Sequence, residues 1–213
     1  MNGRKYIILL GDGMADEPLA ELGNRTPLEA AHTPNMDRLA SHGVMGLART
    51  IPDGIAPGSD TANLAIFGYN PRKYFTGRAP LEAINMGLEL GPNDAAFRCN
   101  IVTIEDGRMA DFTAHHIDTA LSRVVMEEMT KAGIDGRVEF HPGVSYRNIL
   151  IWRGYPYASM PHTTPPHDIS GRETAHYLPK GEGADVLLSI MNRSVEVIAK
   201  SPAIAEAGKT LKG

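Results

Sequence analysis

The sequence predicts an α/β protein whose opening β/α units give way to an α+β module, and three observations lead there. A short continuous apolar run, YIILL, ends in Gly-Asp-Gly at residues 11–13. Segments with matched helix starts and stops follow it, as crossover helices follow strands. From residue 88 onward, strand-like runs joined by an Asp-Gly pair replace that texture. With 42% hydrophobic residues in 213, the chain can bury a substantial core, enough for one large domain or one and a half ordinary ones.

The elements follow in order. YIILL is short, continuous and β-rich, which suits a strand covered on both faces and places Asp12 at its carboxyl end. HTPNMDRLASHG has Thr33 as N-cap, Pro34 at the first helical position and Gly43 past the last turn, so it predicts a helix. GLARTI at 46–51 predicts a second strand and PDGIAPG a sharply turning loop. A helix is expected over about Asp60 to Phe67, stopped by Gly68, and another over GRAPLEAINMG, ended by Gly87.

The second half reads differently. AAFRCNIVTIE and RMADFTA predict two strands joined by Asp106-Gly107, a pair that supplies the positive φ of a hairpin turn. HIDTALSRVVMEEMTKAG predicts an amphipathic helix with Ile117, Leu121, Val124, Val125 and Met129 on one face. Met126 and Met129 fit a core stripe and need no cofactor to explain them. RVEFH and SYRNILIWRG resume strand character, and residues 154–183, rich in proline, glycine and histidine, predict an irregular excursion. VLLSIMNRSVEVIAK predicts a helix and SPAIAEAGKTLKG a frayed tail. The expected division is therefore 1–87, 88–183 and 184–213.

Composition excludes several classes of function. Against 25 acidic residues stand 21 basic ones, a net charge of −4, so there is no bulk attraction for nucleic acid or anionic membrane, and an anionic ligand must be held by local groups. Cys99 is the sole cysteine, which rules out an internal disulfide framework and a thiolate-rich zinc cluster within one chain and fits a reducing cytoplasm. The apolar run before Gly11 is too short for a signal-peptide core or a membrane span.

Two stretches carry chemistry. Asp12, flanked by glycines at the end of the first expected strand, lies where open α/β sheets place their sites, and hard divalent cations prefer such carboxylate oxygens. Ser59, in PGSDT, lies where a loop becomes a helix; there free N–H groups favour an alkoxide and any phosphate bound to it. Each has a plainer alternative: Gly-Asp-Gly as a simple turn, and Ser59 as an ordinary N-cap.

GDGMAD, TPNMDRLASHG, PGSDTANLAIFGY, TGRAPLEAINMG, FRCNIVTIEDGRMADFTA, PGVSYRNILI and TTPPHDISG, taken in this order over residues 4–200, resemble the cofactor-independent phosphoglycerate mutases of the archaeal type, members of the alkaline phosphatase superfamily. The resemblance implies the start of an alkaline-phosphatase-like sheet with helices, interrupted by an inserted α+β substrate-binding domain. It implies an enzyme that moves a phosphoryl group between the 2- and 3-hydroxyls of glycerate through a phosphoserine at a two-metal site. Manganese is the expected metal, with magnesium, zinc or cobalt as alternatives; Asp12 and Ser59 would be ligands and Ser59 also the nucleophile.

By the same resemblance Arg98 and Arg147 would grip phosphate or carboxylate, for which planar guanidinium groups are suited, and Asn100, Asp111, His116, His167 and Asp168 would orient the glycerate. Arg78 could also reach the phosphate. The alternatives are that the strand arginines face solvent or pair with a nearby acid, and that the histidines are capping, solvated or loop residues.

The family's site is completed by aspartates and histidines from a second half, yet no histidine follows His176 here. One carboxylate and one hydroxyl are too few to hold two divalent ions, so half a site is expected, completed by a C-terminal half or a complementing chain. A sheet begun by YIILL and GLARTI alone would leave an apolar surface uncovered. Two other readings stay open: a non-catalytic binder of phosphorylated small molecules, and a metal-dependent phosphatase of the same superfamily. A Ser-His-Asp hydrolase is disfavoured because PGSDT lacks the Gly-x-Ser-x-Gly elbow.

Overall fold

The computed structural model describes residues 4–55 and 57–210, so Ala56 in the PDGIAPG loop and the last three residues of the expected tail lie outside the described residues. The chain forms a mixed α/β structure of small sheets and helices and divides into two compact units, Met1–Phe75 and Thr76–Gly213.

Unit 1 is helical where it is regular. Helix α1 (Pro27–Ala30) is opened by a capping box, in which Thr26 Oγ1 accepts from Glu29 N–H and the Glu29 carboxylate accepts from Thr26 N–H. Helix α2 (Pro34–His42) has the expected ends, Thr33 and Gly43. The Thr33 hydroxyl donates to the Asp37 carboxylate at 2.9 Å rather than capping the backbone. Helices α3 (Ser59–Ile66) and α4 (Pro71–Tyr74) follow, α3 stopping one residue before the expected end and followed by Gly68 at positive φ.

Neither expected strand of unit 1 forms. YIILL and GLARTI are irregular, and Ile7, Leu9, Val44 and Leu47 stand largely in solvent. The physical reason is that a strand is completed by its neighbours. An apolar run that finds no ladder partner cannot pair its backbone N–H and C=O groups, however high its β-propensity. The α/β sheet predicted for the N-terminal region is therefore absent from the described residues of unit 1.

Unit 2 holds the sheets. Helix α5 (Arg78–Asn85) leads to β1 (Ala95–Asn100), which runs antiparallel to β5 (Arg147–Trp152), and β5 pairs on its other edge with β4 (Val138–Val144), giving the order β1-β5-β4. The central strand reads NILIW without alternation because both its faces are covered. On one face α6 (Thr119–Lys131) and α7 (Ala184–Lys200) pack Val125, Met126, Met129, Leu187 and Ile190 against Phe140, Leu150 and Trp152. On the other, Ala79 and Ala83 of α5 meet Ala96, Ile149 and Ile151; two alanines let the helix approach closely.

The expected long strand 95–105 is broken. After Asn100 the chain leaves the sheet, and β2 (Thr103–Glu105) pairs instead with β3 (Arg108–Asp111) across Asp106 and Gly107, both at positive φ as the tight turn requires. The excursion 154–183 is irregular with two 3₁₀ turns, yet it is anchored: Gly171 N–H donates to Met109 O, Met109 N–H to Arg172 O, and Thr174 N–H to Gly107 O. The expected frayed tail is instead helix α8 (Pro202–Thr210), packed on α6. Its start is capped by Ser201, whose Oγ accepts from Ile204 N–H and donates to Glu128 at 2.7 Å.

Asp94 ties the sheet to its flanks. Its carboxylate accepts from Gly154 N–H, from the Arg153 guanidinium at 2.6 Å and from Gly91 N–H, which together hold its pKa at about 2. Arg153 also bonds Glu139, so one guanidinium joins the β1 approach to β4.

Candidate active site

Asp12 and Ser59 meet. Ser59 Oγ donates to Asp12 Oδ2 at 3.1 Å across 47 residues of sequence. Ser59 is the first residue of α3, one position inside the N-cap Gly58, so it does not occupy the capping position. Asp12 reaches it from a turn in which Gly13 sits at φ +69°. The pair offers two hard oxygens beside the N-terminus of an eight-residue helix, a donor set that suits a divalent cation or a phosphoryl group. It is a partial set: among the described residues no group of three or more His, Cys, Asp or Glu is gathered for a metal ion.

Unit 2 gathers three of the expected substrate residues on one face of its main sheet. Asn100 lies directly opposite Arg147, and Arg98 lies two residues along β1 on the same face, opposite Ile149. This is the face that α5 covers, and Glu82 of α5 stands 3.4 Å from Arg98 Nε. Despite that ion pair, Arg98 Nε is buried without a hydrogen bond, and so is Asn100 Oδ1. Buried polar atoms are nearly always satisfied, and these two fall on the same sheet face as Arg147. Arg147 is exposed, with its guanidinium 5.2 Å from the Tyr146 ring centroid.

The remaining candidates cluster beyond β3. Asp111 Oδ1 accepts from Thr113 Oγ1 at 2.6 Å and Thr113 N–H at 2.7 Å, and Oδ2 accepts from His115 N–H at 3.0 Å. The Thr113 bonds, hydroxyl first, and the His115 N–H hold the Asp111 carboxyl below its ordinary pKa. Ala114, His115 and His116 all have φ near +50°, a left-handed turn without glycine. Such backbone costs roughly 1–2 kcal/mol per residue, and here Asp111 and Thr113 Oγ1, which accepts from His116 N–H, offset it. The Phe112 ring packs edge-on against both Tyr146 and His167, and the His167 ring lies 3.4 Å from the Asp168 carboxylate.

Arg78 opens α5, above the face that carries Arg98. Cys99, partly buried, packs against the opposite, helix-covered core, and burial pushes its thiol up to about 11. Sequence reasoning missed Thr113, Ser145 and Gly143. Asp-x-Thr before a turn was a readable signal for Thr113. Gly143 required the fold, since a Cβ there would lie 2.2 Å from the Arg147 carbonyl oxygen.

Comparison with known proteins identifies the family. The family model described as 2,3-bisphosphoglycerate-independent phosphoglycerate mutase matches residues 40–203. A probable enzyme of that name from Geobacter sulfurreducens is 50% identical over 202 residues, which cover 93% of this chain and 50% of the relative. One from Methanothrix thermoacetophila is 50% identical over 198 residues, covering 93% and 49%. Among solved structures, the cofactor-independent phosphoglycerate mutase of Thermoplasma acidophilum is 28% identical with a TM-score of 0.51, covering 93% of this chain and 53% of that one. A Pyrococcus horikoshii protein is 29% identical with a TM-score of 0.63, covering 90% and 43%. The chain thus spans about half the length of the curated relatives it matches. With a family match over most of its length, the chain belongs to the 2,3-bisphosphoglycerate-independent phosphoglycerate mutase family.

Proposed function

We propose that this chain supplies the nucleophile and the substrate-gripping surface for interconversion of 2-phosphoglycerate and 3-phosphoglycerate. The observation that carries the reading is the hydrogen bond between Ser59 and Asp12, which joins two distant motifs at a helix N-terminus. Ser59 Oγ forms a bond to phosphorus as the bond from phosphorus to one glycerate hydroxyl oxygen breaks, giving a phosphoserine and glycerate. The other glycerate hydroxyl oxygen then forms its bond to phosphorus as the Oγ–phosphorus bond breaks; the proton that Ser59 gives up goes to the first leaving oxygen, and Ser59 regains one from the attacking hydroxyl. No redox partner is consumed, so the reaction is an isomerisation.

In this reading Asp12 and Ser59 supply part of the ligand set for two divalent ions, manganese first and magnesium, zinc or cobalt as alternatives. Such ions supply charge neutralisation at the transferring phosphoryl group. Asp12 orients Oγ, and the helix N-terminus favours the negative charge on it. Arg98 and Arg147 bind phosphate or carboxylate, and Asn100, His116, His167 and Asp168 orient the hydroxyls, with Asp111 acting through the turn it holds. The division 1–87, 88–183 and 184–213 assigns the first stretch to an alkaline-phosphatase-like metal domain and the second to the substrate-binding insert. YIILL and GLARTI become strands of that domain's sheet when a C-terminal half or a complementing chain provides neighbours. Phosphoglycerate is the partner; nucleic acid and membrane are not, and the cytoplasm is the compartment. Among the described residues no helix is long and apolar enough to cross a membrane.

The test is a 2-phosphoglycerate assay with manganese and 3-phosphoglycerate, on this chain alone and supplemented with the C-terminal half of the Geobacter relative. Turnover is expected only with the supplement, with mass spectrometry locating phosphoryl on the Ser59 peptide. Ser59→Ala should lower turnover by about a thousandfold or more, as loss of a covalent nucleophile does; an undiminished rate would sink the phosphoserine route. A second reading, a binder of phosphorylated small molecules, is favoured by one observation: the strands and hydrophobic core clusters lie in unit 2, beside the arginines. It predicts binding of 3-phosphoglycerate with no turnover under any supplement.

A further inference from the structure

The left-handed turn that carries His116 is clamped from both ends, and the second clamp comes from the strand connection that carries Arg147. Ser145 Oγ donates to Ile117 O at 2.7 Å, and Ser145 N–H donates to Thr119 Oγ1 at 3.0 Å. Ser145 itself sits at φ +54°, the conformation that aims both its groups at the residues just after the turn. The next carbonyl, of Tyr146, accepts from Ile101 N–H at the point where the chain leaves β1. On the near side, Asp111 and Thr113 take up the N–H groups of Thr113, His115 and His116.

We propose that Ser145, together with Asp111, is a positioning residue that fixes the His115–His116 turn in register with Arg147, so that the two segments meet one phosphoglycerate as a preformed pair. The proposal rests on the substrate assigned under the proposed function. Its physical content is preorganisation. A turn of three L-residues at positive φ relaxes unless it is held, and a binding surface that must reorder on binding loses affinity. The Asp111 clamp is local and the Ser145 clamp spans 26 and 28 residues, but none of Asp111, Thr113 and Ser145 belongs to the packed core clusters, so releasing the clamps changes the surface more than the stability of unit 2.

The test uses the full chain, with calorimetric titration of 3-phosphoglycerate and amide hydrogen exchange at His115 and His116. Asp111→Asn, which keeps the shape and loses the charge, should raise Kd about tenfold or more and speed exchange at both amides to a similar degree. Ser145→Ala should raise Kd by about threefold to tenfold. Ser145→Asn, which tolerates positive φ and keeps a donor, should restore both readouts. A purely structural turn would instead lower Tm with Kd unchanged, and that outcome overturns the proposal. So does unchanged exchange at His116 in both Ser145→Ala and Asp111→Asn. Should the unaltered chain bind no phosphoglycerate, the proposed function fails, while the exchange measurement still upholds or overturns the clamp.

Discussion

A serine at the start of a helix has two ordinary uses, and the hydroxyl's partner decides between them. Ser59 lies one residue inside the N-cap and donates to Asp12, forty-seven residues away, a contact no local propensity requires. The arginines separate in the same way. Arg147 stands in solvent against a tyrosine ring, while Arg98 is held beside Glu82 with its Nε buried and unbonded. A half-buried guanidinium whose Nε lacks a hydrogen bond can still meet a ligand with oxygen acceptors, so on the proposed function Arg98→Met should weaken 3-phosphoglycerate binding about tenfold or more by calorimetry. Tm should change little, because methionine fills the aliphatic space and the Glu82 left behind is exposed enough to stay solvated. A fall of many degrees with unchanged affinity would instead assign Arg98 to structure. The identity of these residues was legible in the sequence, whereas their division of labour was not: Asp111 reads as a substrate ligand by motif, yet both its oxygens are engaged by the next four residues.

Elements were legible where the signal is local. Caps and stop glycines predict α2, α3 and α5 to within a residue or two, and Asp106-Gly107 predicts the β2–β3 turn. Helix α8 was equally readable from Ser201-Pro202, since a capping serine and a first-turn proline open a helix as surely as at Thr33-Pro34. What sequence could not supply is pairing. The run 95–105 looks like one strand, but partner β5 extends only to Arg147, so pairing ends at Asn100. Gly143 shows how closely that partner approaches. With Gly143→Ala, the new Cβ would meet the Arg147 carbonyl at 2.2 Å, and β4 must shift away from β5. Overpacking of this kind typically costs about 1–3 kcal/mol, to be read from the urea midpoint at unchanged slope. Because the clash falls on the Arg147 carbonyl at the start of β5, on the proposed function phosphoglycerate affinity should fall as well.

At the scale of the molecule, the two units differ in what holds them. Unit 1 leaves Tyr6, Ile7, Leu9, Val44 and Leu47 in solvent, whereas unit 2 buries Phe140, Ile149, Leu150, Ile151 and Trp152 to within a few per cent of full coverage. Limited proteolysis of the full chain should therefore cut first within residues 4–58, leaving a resistant fragment that begins near Thr76. Early cleavage within β5 would contradict this ordering.

Acid stability belongs to unit 2 as a whole and has a definite sign. Asp94 is held at about 2 by Gly154 N–H, Arg153 and Gly91 N–H, against an ordinary value of 3.8, and Glu139 is lowered by Arg153 in the same network. A carboxylate whose folded pKa is depressed contributes stability that is present above its unfolded pKa and lost as pH falls through the folded one. Unit 2 should therefore keep its Tm down to about pH 4 and lose it steeply between about pH 4 and pH 2. Asp94→Asn removes the charge-assisted bonds that span the β1 approach and the end of β5, which should cost about 2 kcal/mol at neutral pH. The same change should flatten the Tm profile over the acid window, because the group that titrates there is gone. A variant as steeply acid-sensitive as the parent would move the origin of acid unfolding to other carboxylates, Asp135 and Glu128 first, both also lowered by hydrogen bonds within unit 2.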